Sequence, residues 1–287
     1  MPLWLIFVLL SVIMMAGAEI SQKISLIAPE NISSETNNFV VWLIQAFFGF
    51  ILFFLFSNHN ISFPLALLPK LLVLGVIYFW GGTLYYSSYK GSSAGLSTIL
   101  GTISIVMSTS LGIIFFHEST SLLKFIGILL VFLAIVTVKY SKNLHFDKYN
   151  WLAIAGGLLW GVAFSIDKSF VTTINPLFYL PIFCLTSGLF GLVFRPKIII
   201  SELPKVSLRT LKTISLAALF GVSFNAFTFL SYSQGGEVGR IDAINNSMIF
   251  LVIILEFFIL KEKHDLLRKF IAASIAFAGI YLLALAK

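Results

Sequence analysis

Seven ionisable side chains interrupt otherwise apolar stretches of this chain: Glu19, Lys23, Asp167, Lys168, Arg240, Asp242 and Glu256. A charge at the middle of a bilayer costs about 2.5–3.5 kcal/mol on insertion scales, so each of them asks for a partner or a task. Glu19 and Lys23 stand four residues apart, share a helix face and can pair. Asp167 and Lys168 are adjacent, face apart, and must find different partners. The chemistry they suggest is that of a central aqueous cavity. Acids there would hold amines or protons, and lysines would hold carboxylates or neutralise the acids. The competing reading is that these side chains snorkel to the membrane surface.

Uncharged polar groups extend the pattern. Asp242, Asn245 and Asn246 fall on one face at helical spacing beside Gly239, and Asn225, Thr228 and Tyr232 form a second such face. Trp80, Tyr85, Tyr86 and Tyr89 supply a third, aromatic one. A buried amide needs a hydrogen-bond partner, either a neighbouring helix or a bound solute. The candidate substrate-binding residues are therefore Glu19, Lys23, Trp80, Tyr85, Asp167, Lys168, Asn225, Tyr232, Asp242, Asn245 and Asn246. They suit a small polar or amphipathic metabolite. Glu118 and Glu262 lie in short basic loops, are expected to cap the following helix or pair with local bases, and are left out of this set.

The elements that must position these residues are membrane helices. The chain has 287 residues, of which 59% are hydrophobic and only 11% charged, with mean hydropathy +1.00. Soluble chains carry about 25% charged residues, so this surface is one made for lipid. A helix needs roughly 20 apolar residues to cross the hydrocarbon. Runs of that kind lie near 3–28, 38–56, 69–90, 94–116, 121–140, 150–173, 177–194, 210–234, 238–260 and 266–286. Seven of the eight prolines fall at or between these runs, and only Pro181 lies inside one. The expected fold is an all-α membrane protein of ten transmembrane helices. Met1–Ile20 has no basic n-region and reads as the first helix, not as a leader peptide.

A shift of 144 residues lays the third-to-fifth helices over the eighth-to-tenth. It matches Ser87 with Ser231, Gly91 with Gly235, Gly95 with Gly239, Leu111 with Leu255 and Glu118 with Glu262. Two halves, 1–145 and 146–287, would each hold five helices, an odd number, and so lie in opposite orientations. Many alternating-access carriers are built on such inverted repeats. The pairs Gly91-x-x-x-Gly95 and Gly235-x-x-x-Gly239 read first as packing and turn glycines.

On Tyr89–Ala94 with Phe116–Ser119, on Gly235–Gly239 with Leu260–Lys263, and on Trp160-Gly161 followed by Lys168, the chain resembles the drug/metabolite transporter superfamily, in particular its EamA-like ten-helix family. Ile103–Lys139 resembles the last two helices of the small four-helix multidrug carriers of that superfamily. The resemblance implies a secondary transporter moving an amino acid, amine or drug-like solute by alternating access, driven by protons or by exchange. The proline usual in the middle of the family's fourth and ninth helices is replaced here around Ser104 and Met248, which puts a kink at those places in question.

Rival chemistries find less support. Gly91-Ser92-Ser93-Ala94-Gly95 matches a nucleophile-elbow pattern, but no strand precedes Ser93 and the four histidines, His59, His117, His145 and His264, fall in loops. A non-transporting receptor or assembly subunit is the second rival. A single cysteine, Cys184, makes a multi-cysteine metal site or internal disulfide impossible, and no phosphate-binding loop is present. No cofactor and no nucleic-acid partner is expected. The partners are a small solute and the bilayer, with either a monomer or a homodimer compatible, in the cell (inner) membrane. Odd-numbered loops carry 13 bases against four on the side of the termini. The positive-inside rule then puts the termini outside, whereas the family resemblance implies termini in the cytoplasm.

Overall fold

The computed structural model describes residues 2–57, 61–139, 147–262 and 265–285. Among them there is no strand. The helices, in chain order, are α1 (Leu3–Leu26), α2 (Ser34–Phe56), α3 (Leu68–Ser88), α4 (Ala94–Phe116), α5 (Leu122–Lys139), α6 (Lys148–Val171), α7 (Pro176–Phe194), α8 (Leu208–Ser233), α9 (Val238–Leu260) and α10 (Leu266–Leu285). Nine are long and apolar enough to cross a membrane, and α5 is a shorter apolar helix among the described residues. His59, His145, His264 and the loop bases Lys142, Lys263 and Lys287 lie outside the described residues.

Local sequence explains the boundaries. Ser33 accepts from Thr36 N at 3.1 Å and starts α2 four residues before its apolar run, so Ser34 to Asn38 belong to the helix. Asp147 and Asn150 close a reciprocal cap on α6, and Asn175 caps α7 directly before Pro176. Residues His117 and Lys261, which the 144-residue shift pairs, both follow their helices with positive φ, 52° and 57°. Outward faces carry large apolar side chains such as Phe54, Leu55, Phe115 and Leu129, each more than half exposed, as lipid contact requires.

The packing has the symmetry that the repeat implies. α1 packs along α8 as α6 packs along α3, while α4 lies on α6 as α9 lies on α1. The pairs α2–α7, α5–α10 and α4–α9 map onto themselves when the halves are exchanged. One apolar core surrounds α1, α2, α3, α6, α7 and α8, and a second joins α5 and α10 to α4 and α9.

Both α4 and α9 are interrupted in mid-membrane, at Thr102 and at Ser247–Met248. No proline is involved. Thr102 Oγ1 donates back to Ile99 O at 2.6 Å, and Ser247 N and Met248 N turn to carbonyls three residues back. The expectation that a missing proline puts the kink in question is thereby corrected: hydroxyl back-bonding and tight turns interrupt the helices instead.

Small residues set the distances between helices. A Cβ on Gly156 would come within 2.6 Å of Tyr85 Cβ and 2.8 Å of Gly81 O, so α6 lies directly on the α3 backbone. Gly161 is held equally close to Ser104 O, and Gly127 and Gly279 face each other across α5 and α10. Gly95 meets Glu256 of α9 and Gly239 meets Thr109 of α4, so the two repeat-related glycines pack reciprocally, whereas Gly235 (φ +87°) serves a turn. Gly156→Ala should destabilise the protein by about 1–3 kcal/mol through overpacking against backbone, read as a lowered Tm in detergent. A Tm unchanged from the parent protein would contradict this account of the α3–α6 contact.

Candidate functional site

A small cavity of about 40 Å³ lies between α1, α2, α3, α6 and α8. α1 contributes Glu19 to it, α2 contributes Trp42 and Gln45, α3 contributes Tyr78 and Tyr86, α6 contributes Trp160 and Phe164, and α8 contributes Phe224 and Asn225. Glu19 is 3% exposed. Tyr85 lies beside the Glu19 carboxylate, whose Oε2 has no hydrogen-bond partner among the described residues. Across the space, Trp42 Nε1 is also buried and unpartnered. Gln45 Oε1 accepts from Asn225 Nδ2 at 3.1 Å, with the Gln45 amide seated over Gly221, where any Cβ would collide with it. The ring of Trp42 meets those of Tyr78 and Phe183 edge-on, and Trp160 packs 4.3 Å from Tyr85, centroid to centroid.

Of the candidate residues, Glu19 and Asn225 therefore line the cavity. Tyr85 stands one layer behind, beside Glu19. Asp167 is also behind the wall, and Tyr78, which does line the cavity, donates to it, as does Tyr179. Trp80 is elsewhere, packed on Phe79 and Phe194 with the Arg195 guanidinium 5.3 Å from its ring. Asp242 accepts from Ser108 at 2.6 Å and from Asn246 at 2.8 Å, tying α9 to α4. Asn245 accepts from Ser11 of α1 and donates to Thr228 of α8 at 3.2 Å. Tyr232 is buried with its hydroxyl unpartnered.

Lys23 does not meet Glu19, contrary to the pairing their spacing allows. Its ammonium donates to Tyr89 O at 2.6 Å and Ser92 O at 2.7 Å and lies 3.8 Å from Glu262. Carbonyls left free at the α3–α4 hairpin draw it away from the cavity. The repeat-related Lys168 pairs with Glu118 at 3.0 Å, over the ring of Phe116. Glu118 also accepts from Val238 N at 2.6 Å, so it caps α9 and not the helix that follows it, correcting the local reading of its loop. In the reciprocal position Glu256 of α9 accepts from Gly95 N of α4 at 2.6 Å and binds Lys269 at 2.5 Å. Burial, then a hydrogen bond with Glu256, raises the Glu262 carboxyl above its ordinary range, against the pull of Lys23. A buried ion cluster thus closes the bundle at each end of the cavity.

Ser93 accepts from Leu96 N at 3.2 Å as the cap of α4. His117 follows the far end of that helix, which at 1.5 Å per residue is roughly 35 Å away. The serine is thus engaged in a structural bond, with no described histidine beside it. Trp42, Gln45, Tyr78, Tyr86, Trp160, Phe164 and Phe224 line the cavity but are absent from the candidate set, and Trp42 and Gln45 come from a helix that contributed no candidate at all. Their signal was present in principle, since a lone glutamine three residues after a tryptophan in an apolar helix marks one face.

A model of the EamA-like transporter family matches residues 2–140 and matches again over residues 147–285. Among solved structures 28 chains match. One, a crystal structure of a protein 12% identical to this chain, aligns with a TM-score of 0.70 over 97% of this chain and 96% of the other, which speaks for the shared fold. Comparison with curated proteins finds no match.

Removing one partner of a buried ion pair leaves the other uncompensated, at about 3–5 kcal/mol. Glu118→Ala should show a loss of that size in detergent unfolding, since it orphans both Lys168 and the α9 N-terminus. Glu118→Gln combined with Lys168→Met should cost less than the two single changes added together. Simple additivity would mean that the pair is not coupled.

Proposed function

The chain belongs to the EamA-like transporter family, and on that premise we propose that it is a secondary carrier whose substrate occupies the cavity around Glu19. Membership makes it a multi-pass membrane transporter of small solutes. The finer reading is that ten spans, in two inverted halves at 1–145 and 146–287, alternate access to that cavity from the two sides of the cell (inner) membrane, as a monomer or a homodimer.

The observation that carries this reading is the placement of the unpaired polar atoms. Other buried acids in the spans are engaged: Asp167 by two tyrosines, Asp242 by serines and an asparagine, Glu256 by Lys269 and the α4 N-terminus. Glu19 lines the cavity, and its Oε2 is buried with no partner among the described residues. A carboxylate in that setting is completed by a proton or by a solute. Competition between the two would couple transport to protons or to exchange.

The ion clusters fit the role of end closures. Lys23 with Glu262 joins α1 to the α9–α10 junction on the face of the odd-numbered loops, and Lys168 with Glu118 joins α6 to the α4–α5 junction on the opposite face. The interrupted helices α4 and α9 pass between them, so each half-helix can tilt without unwinding a continuous ladder.

Counterflow of labelled solute in proteoliposomes tests the function directly, with candidate solutes chosen from thermal-shift panels of amino acids, amines and small metabolites. Glu19→Gln, and Asp167→Asn if the buried tyrosine cluster carries the proton, should abolish the pH dependence of uptake. Unchanged pH profiles in both amide variants would sink proton coupling at these sites, and absence of counterflow with every solute would sink the carrier reading.

A further inference from the structure

The cavity lining points to selection of its occupant by charge, an inference that rests on the carrier reading above. Of its lining side chains Glu19 is the acid, and none is a lysine, arginine or histidine. The three lysines nearest in the chain to lining residues are committed elsewhere, Lys23 to the carbonyls of Tyr89 and Ser92, Lys90 to Ile32 O and Lys168 to Glu118. A carboxylate brought in with the substrate would thus be desolvated beside Glu19 with no cation to receive it, which like-charge repulsion opposes.

The walls favour the opposite sign. Trp42, Tyr78, Tyr86, Trp160, Phe164 and Phe224 surround the space, and aromatic faces attract an organic cation through their ring quadrupoles. Glu19 supplies the carboxylate of the lining, and among the described residues its Oε2 and the Trp42 Nε1 donor are buried without a partner.

We propose that the substrate is a small organic monocation, a protonated amine without a free carboxylate, with its ammonium on Glu19 and a hydroxyl or ether oxygen turned to the Trp42 N–H. Amino acids are then excluded by their own carboxylates.

Tyramine, tyrosine and 3-(4-hydroxyphenyl)propionate share one ring and differ at neutral pH as cation, zwitterion and anion. Thermal shift and isothermal titration of the purified protein with these three probes, and with phenethylamine, make the test. Tyramine should bind at least about a hundredfold more tightly than tyrosine, with no response to the anion. Glu19→Gln should weaken tyramine about tenfold or more while the parent Tm is kept, and Trp42→Phe should narrow the preference for tyramine over phenethylamine. Equal or tighter binding of tyrosine or of the anion overturns the charge assignment, and so does a flat response to tyramine, phenethylamine and a wider amine panel. Counterflow of a zwitterionic or anionic solute would overturn this inference alone and leave the carrier standing. Tyramine binding without counterflow of any solute would do the reverse.

Discussion

Hydrocarbon offers no hydrogen bonds, so every polar group that this protein carries into the membrane has to be answered from within the bundle. That constraint organises the structure. The backbone is helical wherever it crosses. Where α4 and α9 begin, their free N–H groups are met by carboxylates from the opposite half: Glu118 at Val238 and Glu256 at Gly95. Each carboxylate is in turn neutralised by a lysine, Lys168 and Lys269. The halves are thereby cross-linked through the helices that are also interrupted, and the charges that looked expensive in the sequence become the joints of the assembly.

The same constraint explains how a helix can be broken without proline. Proline interrupts by removing a donor and by steric clash. Thr102 achieves the break with its hydroxyl, which takes the carbonyl of Ile99, and Asn246 does related work in the second half by donating to Asp242 O at 2.9 Å. Freed backbone groups are answered by side chains one turn away, so no water is required. The two breaks fall at equivalent places in the repeat, next to the Asp242 cluster that joins α4 to α9.

Against this background of satisfied polarity, the exceptions acquire meaning. Glu19 and Trp42, two residues of the same cavity lining, each keep a buried atom without a partner among the described residues, and the surrounding aromatic rings present electron-rich faces. Gln45 and Asn225 line it too and are joined by one hydrogen bond, from Asn225 Nδ2 to Gln45 Oε1, which fixes that wall. A carrier needs this asymmetry. Groups that hold the scaffold must be content without substrate, and those that recognise it must not.

How much of this was legible in the chain depends on the range of the interactions. Spans, their boundaries within a few residues and the duplication follow from local hydropathy and from spacing, because a lipid-facing helix is specified by its own composition, while the family is carried by resemblance in short motifs such as Trp160-Gly161 with Lys168. Helical periodicity also placed Asp167 and Lys168 on different faces, and they do have different partners. It could not say which face meets which helix. Lys23 was spaced to pair with Glu19 and turns instead to hairpin carbonyls, because free acceptors at a turn compete well for an ammonium. Trp80 belongs by sequence to the aromatic face of α3 and packs against Phe194, away from the cavity, while Trp42 and Gln45 on α2 enter it. The rotation of each helix is set by glycines such as Gly156 and Gly161, which decide how closely backbones approach. The sequence alone determined that there would be buried charges and that they would need partners. Only the tertiary packing decided which carboxylate would be left without one, because a partner in this bundle is nearly always contributed by another helix.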